Sequence, residues 1–362
     1  IDACAQAGDL PGAEYWLMRM DALSLWPSAE AFCSLVHAAA KNNDTRRLEN
    51  LFERMSEANV EATRPMYNAF ISTFARRGDR DGAEKWLKQM LNTGTAADVA
   101  SYSAVIHACA KAGDLHHAEG WVCKMQEVGI EPNVVTYNSV INACARCGES
   151  VRAASWFEQM ESKGVSPGLL TYNSLINAAV KAADRTRAEN WLTEMKCRGV
   201  EPDSVSYSTV IHAWAMANNA PRAEHWFRTL QQSGASTEQT NSFCYNSVCQ
   251  AWARAGDVVH AASLLQEALD ARAEVNANTF SAVSGCSLKL GRPEEAECCL
   301  RCMQQDGLQV PLRGLGGAEA VASAWAQRGN QARAAAVRAL AKDCKDMSTA
   351  RLGPRSRGGK HL

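Results

Sequence analysis

The chain has 362 residues, with 38 Lys and Arg against 39 Asp and Glu, so its formal charge is −1. An apolar fraction of 46% excludes global disorder, and no apolar run approaches the length that a membrane-spanning helix needs. Fourteen irregularly spaced cysteines favour a reducing compartment over a disulfide scaffold, and the near-neutral charge gives no sign of a strongly basic nucleic-acid-binding surface.

Two aromatic residues recur with a period of 35 residues. The tryptophans of this series are Trp16, Trp86, Trp121, Trp156, Trp191 and Trp226, and the first interval is two periods long. The matching tyrosines are Tyr67, Tyr102, Tyr137, Tyr172 and Tyr207. Periods of 20 to 50 residues are typical of stacked-repeat proteins. The sequence is therefore interpreted as a repeat array.

Placing the tyrosine at position 4 divides the chain into units. A partial repeat (1–28) is followed by 29–63, 64–98, 99–133, 134–168, 169–203, 204–241, 242–276 and 277–314, and then by a degenerate repeat (315–349). The recognisable array covers 29–311, and the sixth and eighth units each carry three additional residues. Because the first unit is incomplete, we expect the chain to be part of a longer protein. Residues 350–362, with Arg and Lys among Gly and Pro, are expected to form a flexible basic tail.

Each unit predicts two helices, called helix A and helix B. In 134–168 the two apolar stripes at i, i+3, i+4 and i+7 spacing are Tyr137, Val140, Ile141 and Cys144, and Ala153, Trp156, Phe157 and Met160. Gly148 separates the stripes as a helix stop. One helical pair cannot bury both stripes, so neighbouring pairs must stack. We therefore predict an all-α fold, an α-solenoid superhelix of about ten stacked helix-turn-helix repeats, with the tryptophans in the core between repeats.

Two polar rows recur on helix A. Position 5 is Asn or Ser in all repeats except the first, and reads Cys33, Asn68, Ser103, Asn138, Asn173, Ser208, Asn246 and Ser281. Position 13 is basic in all repeats except that of Met216, and reads Lys41, Arg76, Lys111, Arg146, Lys181, Arg254 and Lys289. Helix capping is an alternative role for position 5, and interaction with the helix C-terminus is one for position 13. An acidic row on helix B balances the basic row, so the total charge conceals a basic stripe. It reads Glu14, Glu49, Glu84, Glu119, Glu189, Glu224 and Glu297.

With this period and these recurring residues, the chain closely resembles the pentatricopeptide repeat family. The segments 134–141 and 169–176 are similar to its helix-A signature, and 125–133 and 195–203 to its repeat ends. The resemblance covers roughly residues 1–311. It implies that single-stranded RNA lies along the helix-A face with one base per repeat. In the family, position 5 and the last residue of the repeat read the base edge, and the side chain at position 2 packs against the base.

Carried onto this chain, the resemblance implies three sets of contacts. The base-reading residues are Asn68, Asp98, Ser103, Asn133, Asn138, Gly168, Asn173, Asp203, Ser208, Asn241, Asn246, Asn276 and Ser281. The base-packing residues are Val135, Leu170, Val205 and Phe243, and the basic row at position 13 contacts phosphates. Gly168, like Thr63 and Pro311, departs from the family pattern at the last position. The implied target core is U-A-Y-U-A-Y, read from 5′ to 3′.

Two thiol-containing groups suggest other chemistry. His117 and Glu119 followed by Cys144 and Cys147 resemble a zinc deaminase motif, but the proline that precedes the cysteines in that motif is absent and the residues fit the repeat pattern. Cys298, Cys299 and Cys302 form a second cluster, with a redox or zinc role as its alternative. We expect no metal, no cofactor and no enzymatic activity within these residues.

The predicted function is sequence-selective binding of single-stranded RNA, in organellar RNA processing, stability or translation. The family resemblance implies a mitochondrial or chloroplast location, with other RNA-processing proteins as additional partners and no membrane contact. The main alternative is a protein-binding helical scaffold of the tetratricopeptide type, which would not require Asn or Ser at position 5. A catalytic domain outside these residues is a further alternative.

Overall fold

The computed structural model describes the backbone of residues 1–23, 25 and 27–351, and the side chains of these residues except residue 21 and residues 342–351. Within that part of the chain there are twenty α-helices and no strand. The first helices of the ten pairs are α1 (Asp2–Gln6), α3 (Ala29–Lys41), α5 (Arg64–Arg77), α7 (Val99–Ala112), α9 (Val134–Cys147), α11 (Leu169–Lys181), α13 (Ser204–Met216), α15 (Glu238–Ala255), α17 (Ala277–Lys289) and α19 (Ala318–Gln327).

The second helices complete the hairpins. They are α2 (Leu10–Ala22), α4 (Thr45–Glu57), α6 (Arg80–Asn92), α8 (Leu115–Glu127), α10 (Ser150–Ser162), α12 (Arg185–Cys197), α14 (Ala220–Ser233), α16 (Val258–Asp270), α18 (Pro293–Gln305) and α20 (Gln331–Arg351). The predicted all-α repeat fold is confirmed. None of the described helices is both long and apolar enough to cross a bilayer.

The chain forms two compact units, Ile1–Trp191 and the part that begins at Leu192. In the first unit, α1, α3, α5, α7, α9 and α11 pack side by side in chain order. In the second unit, α13, α15, α17 and α19 do the same. Each unit is therefore a stack of helical hairpins in which the helices A form one continuous layer.

Short polar signals define the hairpins. Asp79 and Asp114 cap the second helices α6 and α8, accepting hydrogen bonds from the backbone N–H of Gly82 (2.9 Å) and His117 (3.1 Å). Gly148 ends α9 with φ of 75°, a left-handed conformation that glycine adopts without steric cost. The helix stop predicted at Gly148 is thus confirmed.

Aromatic side chains fill the space between successive hairpins. The five periodic tyrosines are essentially buried, and Trp86 stacks on Phe70 with ring centroids 4.5 Å apart while meeting Phe52 of the preceding repeat edge-on. The core position predicted for tryptophan holds for Trp86, Trp121 and Trp226, which are buried. It is wrong for Trp16, which is 51% exposed on α2.

The acidic row of helix B also joins repeats. Glu119 accepts a 2.9 Å hydrogen bond from the indole N–H of Trp156 in the next repeat and pairs with Arg152. Glu224 accepts one of 2.8 Å from Trp252. These two carboxylates therefore bond to half-buried indole donors of the following repeat and have a structural role.

Helix ends depart from the predicted unit boundaries at three places. The additional residues of the sixth unit become the first turn of α15, which begins after the N-cap Thr237, because an insertion of about one turn preserves the apolar stripe. The final hairpin begins at Ala318 after the N-cap Gly317, and not at 315. Its second helix reaches Arg351, beyond the predicted boundary at 349, and the rest of the predicted basic tail lies outside the described residues.

Candidate nucleic-acid interface

The last residue of a repeat is the N-cap of the next helix A. Asp98 accepts a 2.9 Å hydrogen bond from the backbone N–H of Ser101, and Asn133 accepts one of 3.0 Å from Thr136. Asp203 and Asn276 cap α13 and α17 in the same way. Capping fixes each of these side chains at the start of a helix A. The residues predicted to read bases at the repeat ends therefore have a structural role as well.

Position 5 lies beside this N-cap, at the joint between two helices A. The amide nitrogen of Asn68 is 3.3 Å from both carboxylate oxygens of Asp98. Position 5 is in the second turn of helix A, so the alternative in which it caps its own helix is wrong. The structure thus brings together one predicted pair of base-reading residues, Asn68 and Asp98, at a helix-A joint.

A hydroxyl at position 3, which was not among the predicted site residues, completes the joint. Ser101 Oγ donates to Asn68 Oδ1 at 2.6 Å, and Thr171 Oγ1 donates to Asn138 Oδ1 at 2.7 Å. Ser103 Oγ and Thr136 Oγ1 lie 2.7 Å apart. The available signal was the Ser or Thr that directly precedes the periodic aromatic residue, at positions 101, 136, 171, 206 and 279. These hydroxyls orient the side chain at position 5 of the preceding repeat.

Two adjacent grooves in the first unit repeat the same arrangement. The Ser103 groove, of about 730 Å³, is lined by Ser103, the two N-caps Asp98 and Asn133, and the position-2 residues Ala100 and Val135. The Asn68 groove, of about 500 Å³, is lined by Asn68, the position-2 residues Pro65 and Ala100, and the cations Lys41 and Arg76. Each groove therefore combines a position-5 side chain, two position-2 side chains and at least one cation.

The apolar residues at position 2 face solvent. Val135 is 56% exposed, Leu170 64%, Val205 55% and Phe243 46%. Val135, Leu170 and Val205 lie in the first turn of their helices A. Phe243 lies one turn further along its helix, because α15 begins earlier in its repeat. Exposed apolar side chains next to polar position-5 residues offer a surface for the flat faces of planar groups.

The basic row contacts the backbone of the preceding helix A. Arg76 donates to the carbonyl of Ala40 at 2.5 Å, Lys181 donates to that of Arg146 at 3.4 Å, and Arg254 donates to that of Ala215 at 3.2 Å. In the same way, the side chain of Lys111 donates to the backbone carbonyl of Arg76, and that of Arg146 donates to the backbone carbonyl of Lys111. The predicted interaction with a helix C-terminus thus exists between neighbouring repeats, where the cation meets the negative end of the helix dipole. Contact with phosphate stays a prediction.

Charge at the joints is set by burial and hydrogen bonding. Burial alone would raise the pKa of Asp98, but hydrogen bonds from Ser101 and Asn68 and the charge of Arg64 outweigh it and lower the pKa. Burial lowers the pKa of His107, and Lys111 and Arg146 lower it further. At neutral pH Asp98 is therefore an anion and His107 a neutral donor and acceptor.

Sequence profiles of one family match most of the array. The pentatricopeptide repeat domain matches residues 17–77 and 85–147, the PPR repeat family matches 132–181 and 167–216, and the PPR repeat matches 65–94 and 279–308. The chain belongs to the pentatricopeptide repeat family. No curated protein sequence matches it.

Solved pentatricopeptide repeat structures are similar at low identity. Maize PPR10 has 18% identity over 96% of this chain and 64% of its own, with a TM-score of 0.37. PPR10 in complex with an 18-nt psaJ RNA element has 21% identity over 93% of this chain and 52% of its own, with a TM-score of 0.44. The PPR domain of Arabidopsis thaliana protein-only RNase P 1 in complex with tRNA has 19% identity over 50% of this chain and 94% of its own, with a TM-score of 0.44. This chain spans about half the length of the RNA-bound PPR10 chain.

Two predicted base-reading residues of this pentatricopeptide repeat chain, Gly168 and Asn241, do not place a polar side chain at the N-cap of a helix A as Asp98 does. Gly168 caps α11 but has no side chain, so it brings no polar group to the joint with Asn138. Asn241 lies inside the first turn of α15, where Thr237 is the N-cap, because the insertion extends the helix. Gly168 therefore takes the N-cap position of Asp98 without its polar group, whereas Asn241 is not an N-cap at all.

The alternative metal and thiol groups have structural partners in the pentatricopeptide array. His117 Nδ1 lies 2.9 Å from Asp114 Oδ2, and Glu119 is bonded to Trp156. Burial raises the pKa of the Cys144 and Cys299 thiols to about 12. Among the residues whose side chains are described, no three His, Cys, Asp or Glu side chains are grouped to hold a metal ion.

Proposed function

We propose that this chain binds single-stranded RNA along its layer of helices A and selects bases through position 5 and the repeat end. The core predicted from the sequence is U-A-Y-U-A-Y. The observation that carries the proposal is the repeated groove of the first unit, which is lined by one position-5 side chain together with two position-2 side chains. A base inserted there would have both faces covered and its edge opposite polar atoms.

The chemistry of the groove suits a base edge. Asn68 offers an amide, Ser103 a hydroxyl and Asp98 an ionised carboxylate, so adjacent grooves present different donor and acceptor patterns. The position-13 cations run beside the grooves and supply positive charge for a phosphate backbone. This local charge supports RNA binding even though the net charge of the chain is −1.

Selection from a randomised RNA pool, followed by sequencing of the bound RNA, tests the proposal. We expect enrichment of a short motif that contains U-A-Y-U, with consecutive bases assigned to consecutive repeats. A pool that stays random, together with no measurable RNA affinity, would favour the protein-binding scaffold of tetratricopeptide type. A role in organellar RNA processing, stability or translation is part of the proposal and rests on the family alone.

A further inference from the structure

Asn246 has the same residue type as Asn68, but all its hydrogen-bonding capacity is used within the chain. Its Nδ2 donates to the carbonyls of Ser242 at 2.8 Å and Glu274 at 2.9 Å. Its Oδ1 accepts from the N–H of Asn276 at 3.0 Å and from Thr279 Oγ1 at 2.7 Å. A primary amide has two donors and two acceptor sites, so no capacity is left for a base. Asn68, by contrast, has a single donor partner, the carboxylate of Asp98 with both oxygens at 3.3 Å, and its Oδ1 accepts one hydrogen bond, from Ser101.

The space beside Asn246 also differs in charge from the grooves of the first unit. A cavity of about 790 Å³ borders Asn246 and Phe243, and the charged residues in its lining are Glu274, Asp306 and Arg272, two anions and one cation. None of the position-13 cations lines this cavity, whereas Lys41 and Arg76 line the Asn68 groove. The two carboxylates oppose the approach of a phosphate backbone.

The next repeat is covered by its own connecting loop, residues 311–317. Gly316 lies so close to helix α17 that a Cβ atom there would be 2.1 Å from the Ser281 carbonyl oxygen. The Ser284 hydroxyl donates to the Gly316 carbonyl at 3.1 Å. Position 9 of this helix is Gly285, and a Cβ there would already be 3.4 Å from Gly316 N. The other repeats have a side chain at position 9, so the glycine allows the loop to reach the helix-A face.

The loop is held at both ends. Its carbonyls at Pro311 and Leu312 accept the N–H groups of Ala318 and Glu319 at 2.9 and 3.0 Å, so they replace a side-chain cap for α19. Val310, just before the loop, is buried in an apolar cluster with Leu300 and Trp325. The residue that occupies the N-cap position is Gly317, which has no side chain to read a base.

We propose that residues 242–317 are a closed end of the array, which supports the fold but selects no base. This inference deepens the proposed function and rests on it. Asn246, Asn276 and Ser281, which the family pattern assigns to base reading, are then structural residues. The last Y of U-A-Y-U-A-Y is not selected, and base selection ends no later than the register of Ser208.

A matched pair of substitutions tests the closed end. Asp98→Asn and Asn276→Asp exchange two side chains that both cap helices well, so the fold tolerates each. In the family pattern, Asn with Asp at the repeat end implies uracil, and Asn with Asn implies either pyrimidine. The full chain and both variants are each put through selection from the same randomised RNA pool, and thermal unfolding verifies that each variant is folded.

The expected result is a relaxed first base in Asp98→Asn, from uracil to either pyrimidine, and an unchanged motif in Asn276→Asp. Ser281→Asn is a second variant, and it should also leave the motif unchanged. If Asn276→Asp converts one base to uracil, or Ser281→Asn adds a selected base, the closed end is wrong while base reading stands. If the wild-type motif responds to neither Asp98→Asn nor Asn276→Asp, or no motif is selected, base reading itself is wrong and the closed end falls with it.

Discussion

The amide nitrogen of Asn68 lies 3.3 Å from the carboxylate of Asp98, a residue 30 positions later in the chain, and the hydroxyl of Ser101 donates to the amide oxygen of Asn68 at 2.6 Å. Three repeat positions thus meet at one joint: position 5, the repeat end and position 3 of the next repeat. Asp98 also caps α7, so the carboxylate that we propose to select a base also stabilises a helix. Substitutions at the joint can separate these two roles.

Ser101→Ala removes the hydroxyl that orients Asn68. Because Ser101 is fully buried and its Oγ is within bonding distance of Asn68 and Asp98, we expect a loss of about 1 kcal/mol, seen as a thermal midpoint lower by roughly 2–4 °C. RNA selection should also show weaker preference for uracil at the first base. Ser162→Ala, which removes a hydroxyl bonded only to the backbone of its own helix, is the control. Unchanged uracil preference in a destabilised Ser101→Ala would limit Ser101 to a structural role.

Ser103→Asn should change the second selected base from adenine to a pyrimidine. The next joint of the same chain already accommodates this residue type, since Asn138 accepts a 2.7 Å hydrogen bond from Thr171 where Ser103 meets Thr136. One exchanged hydrogen bond of about 0.5–1.5 kcal/mol corresponds to a roughly 2- to 12-fold change in relative affinity.

Competition binding with two RNAs that differ only at the second base measures that change. Ser162→Asn, which alters an exposed hydroxyl that bonds to the backbone of its own helix B, serves as the control. Retained adenine preference in a folded Ser103→Asn protein would contradict the assignment of this base to Ser103.

The sequence predicted the repeat architecture because its signals are local. A tyrosine or tryptophan every 35 residues and a glycine such as Gly148 specify apolar stripes and helix ends within one unit. The joint of Asn68 with Ser101 was missed because a Ser before the aromatic residue reads as part of its own helix, whereas its partner lies 33 residues earlier. Contacts between repeats depend on how the hairpins stack, which the pattern within one repeat does not specify.

The closed end could not be predicted from residue types either. Asn68 and Asn246 are identical in the repeat pattern, and only the carbonyls of Ser242 and Glu274 saturate the amide of Asn246. Likewise, Gly285 and Gly316 are ordinary loop or helix residues in the sequence, and their close approach appears only once the loop is folded onto α17. The sequence shows the three-residue insertion before Asn241. That these residues form an additional helical turn is visible only in the structure, where Thr237 is the N-cap.

Acid should weaken the second unit through Glu267. Two hydrogen bonds from Arg228, at 2.5 and 2.8 Å, lower the pKa of Glu267, with Tyr245 as a further donor at 2.9 Å, and burial opposes them. A lowered pKa in the folded state stabilises the protein fully above the unfolded value of about 4.3, and the gain is lost as pH falls through the lower folded value. Both side chains are 38% exposed, so screening limits the effect to about 1 kcal/mol or less.

Urea unfolding of wild type and Glu267→Gln at several pH values between about 2.5 and 7 measures this contribution. We expect Glu267→Gln to be the less stable protein at pH 7 and the two proteins to converge as the carboxylate is protonated. Glu201→Gln, on an exposed loop of the same unit, should follow the wild-type curve. A stability difference between wild type and Glu267→Gln that stays constant down to the lowest pH would exclude the carboxylate as its source.

Salt dependence should reveal the basic row that the net charge conceals. If all seven position-13 cations contacted phosphates, the slope of log affinity against log salt would be about −5, at roughly 0.7 per phosphate on single strands. Without Arg254 and Lys289, which lie in the closed end, the expected slope is about −3.5. Lys111→Gln should therefore reduce the slope by about 0.7, since Lys111 is exposed and bonded to the Arg76 carbonyl in the free protein. Lys88→Gln is the matched control, because Lys88 lies on helix B next to Glu84, outside the layer of helices A. Equal slopes for the two variants would mean that the cations act through general charge and not through a defined RNA path.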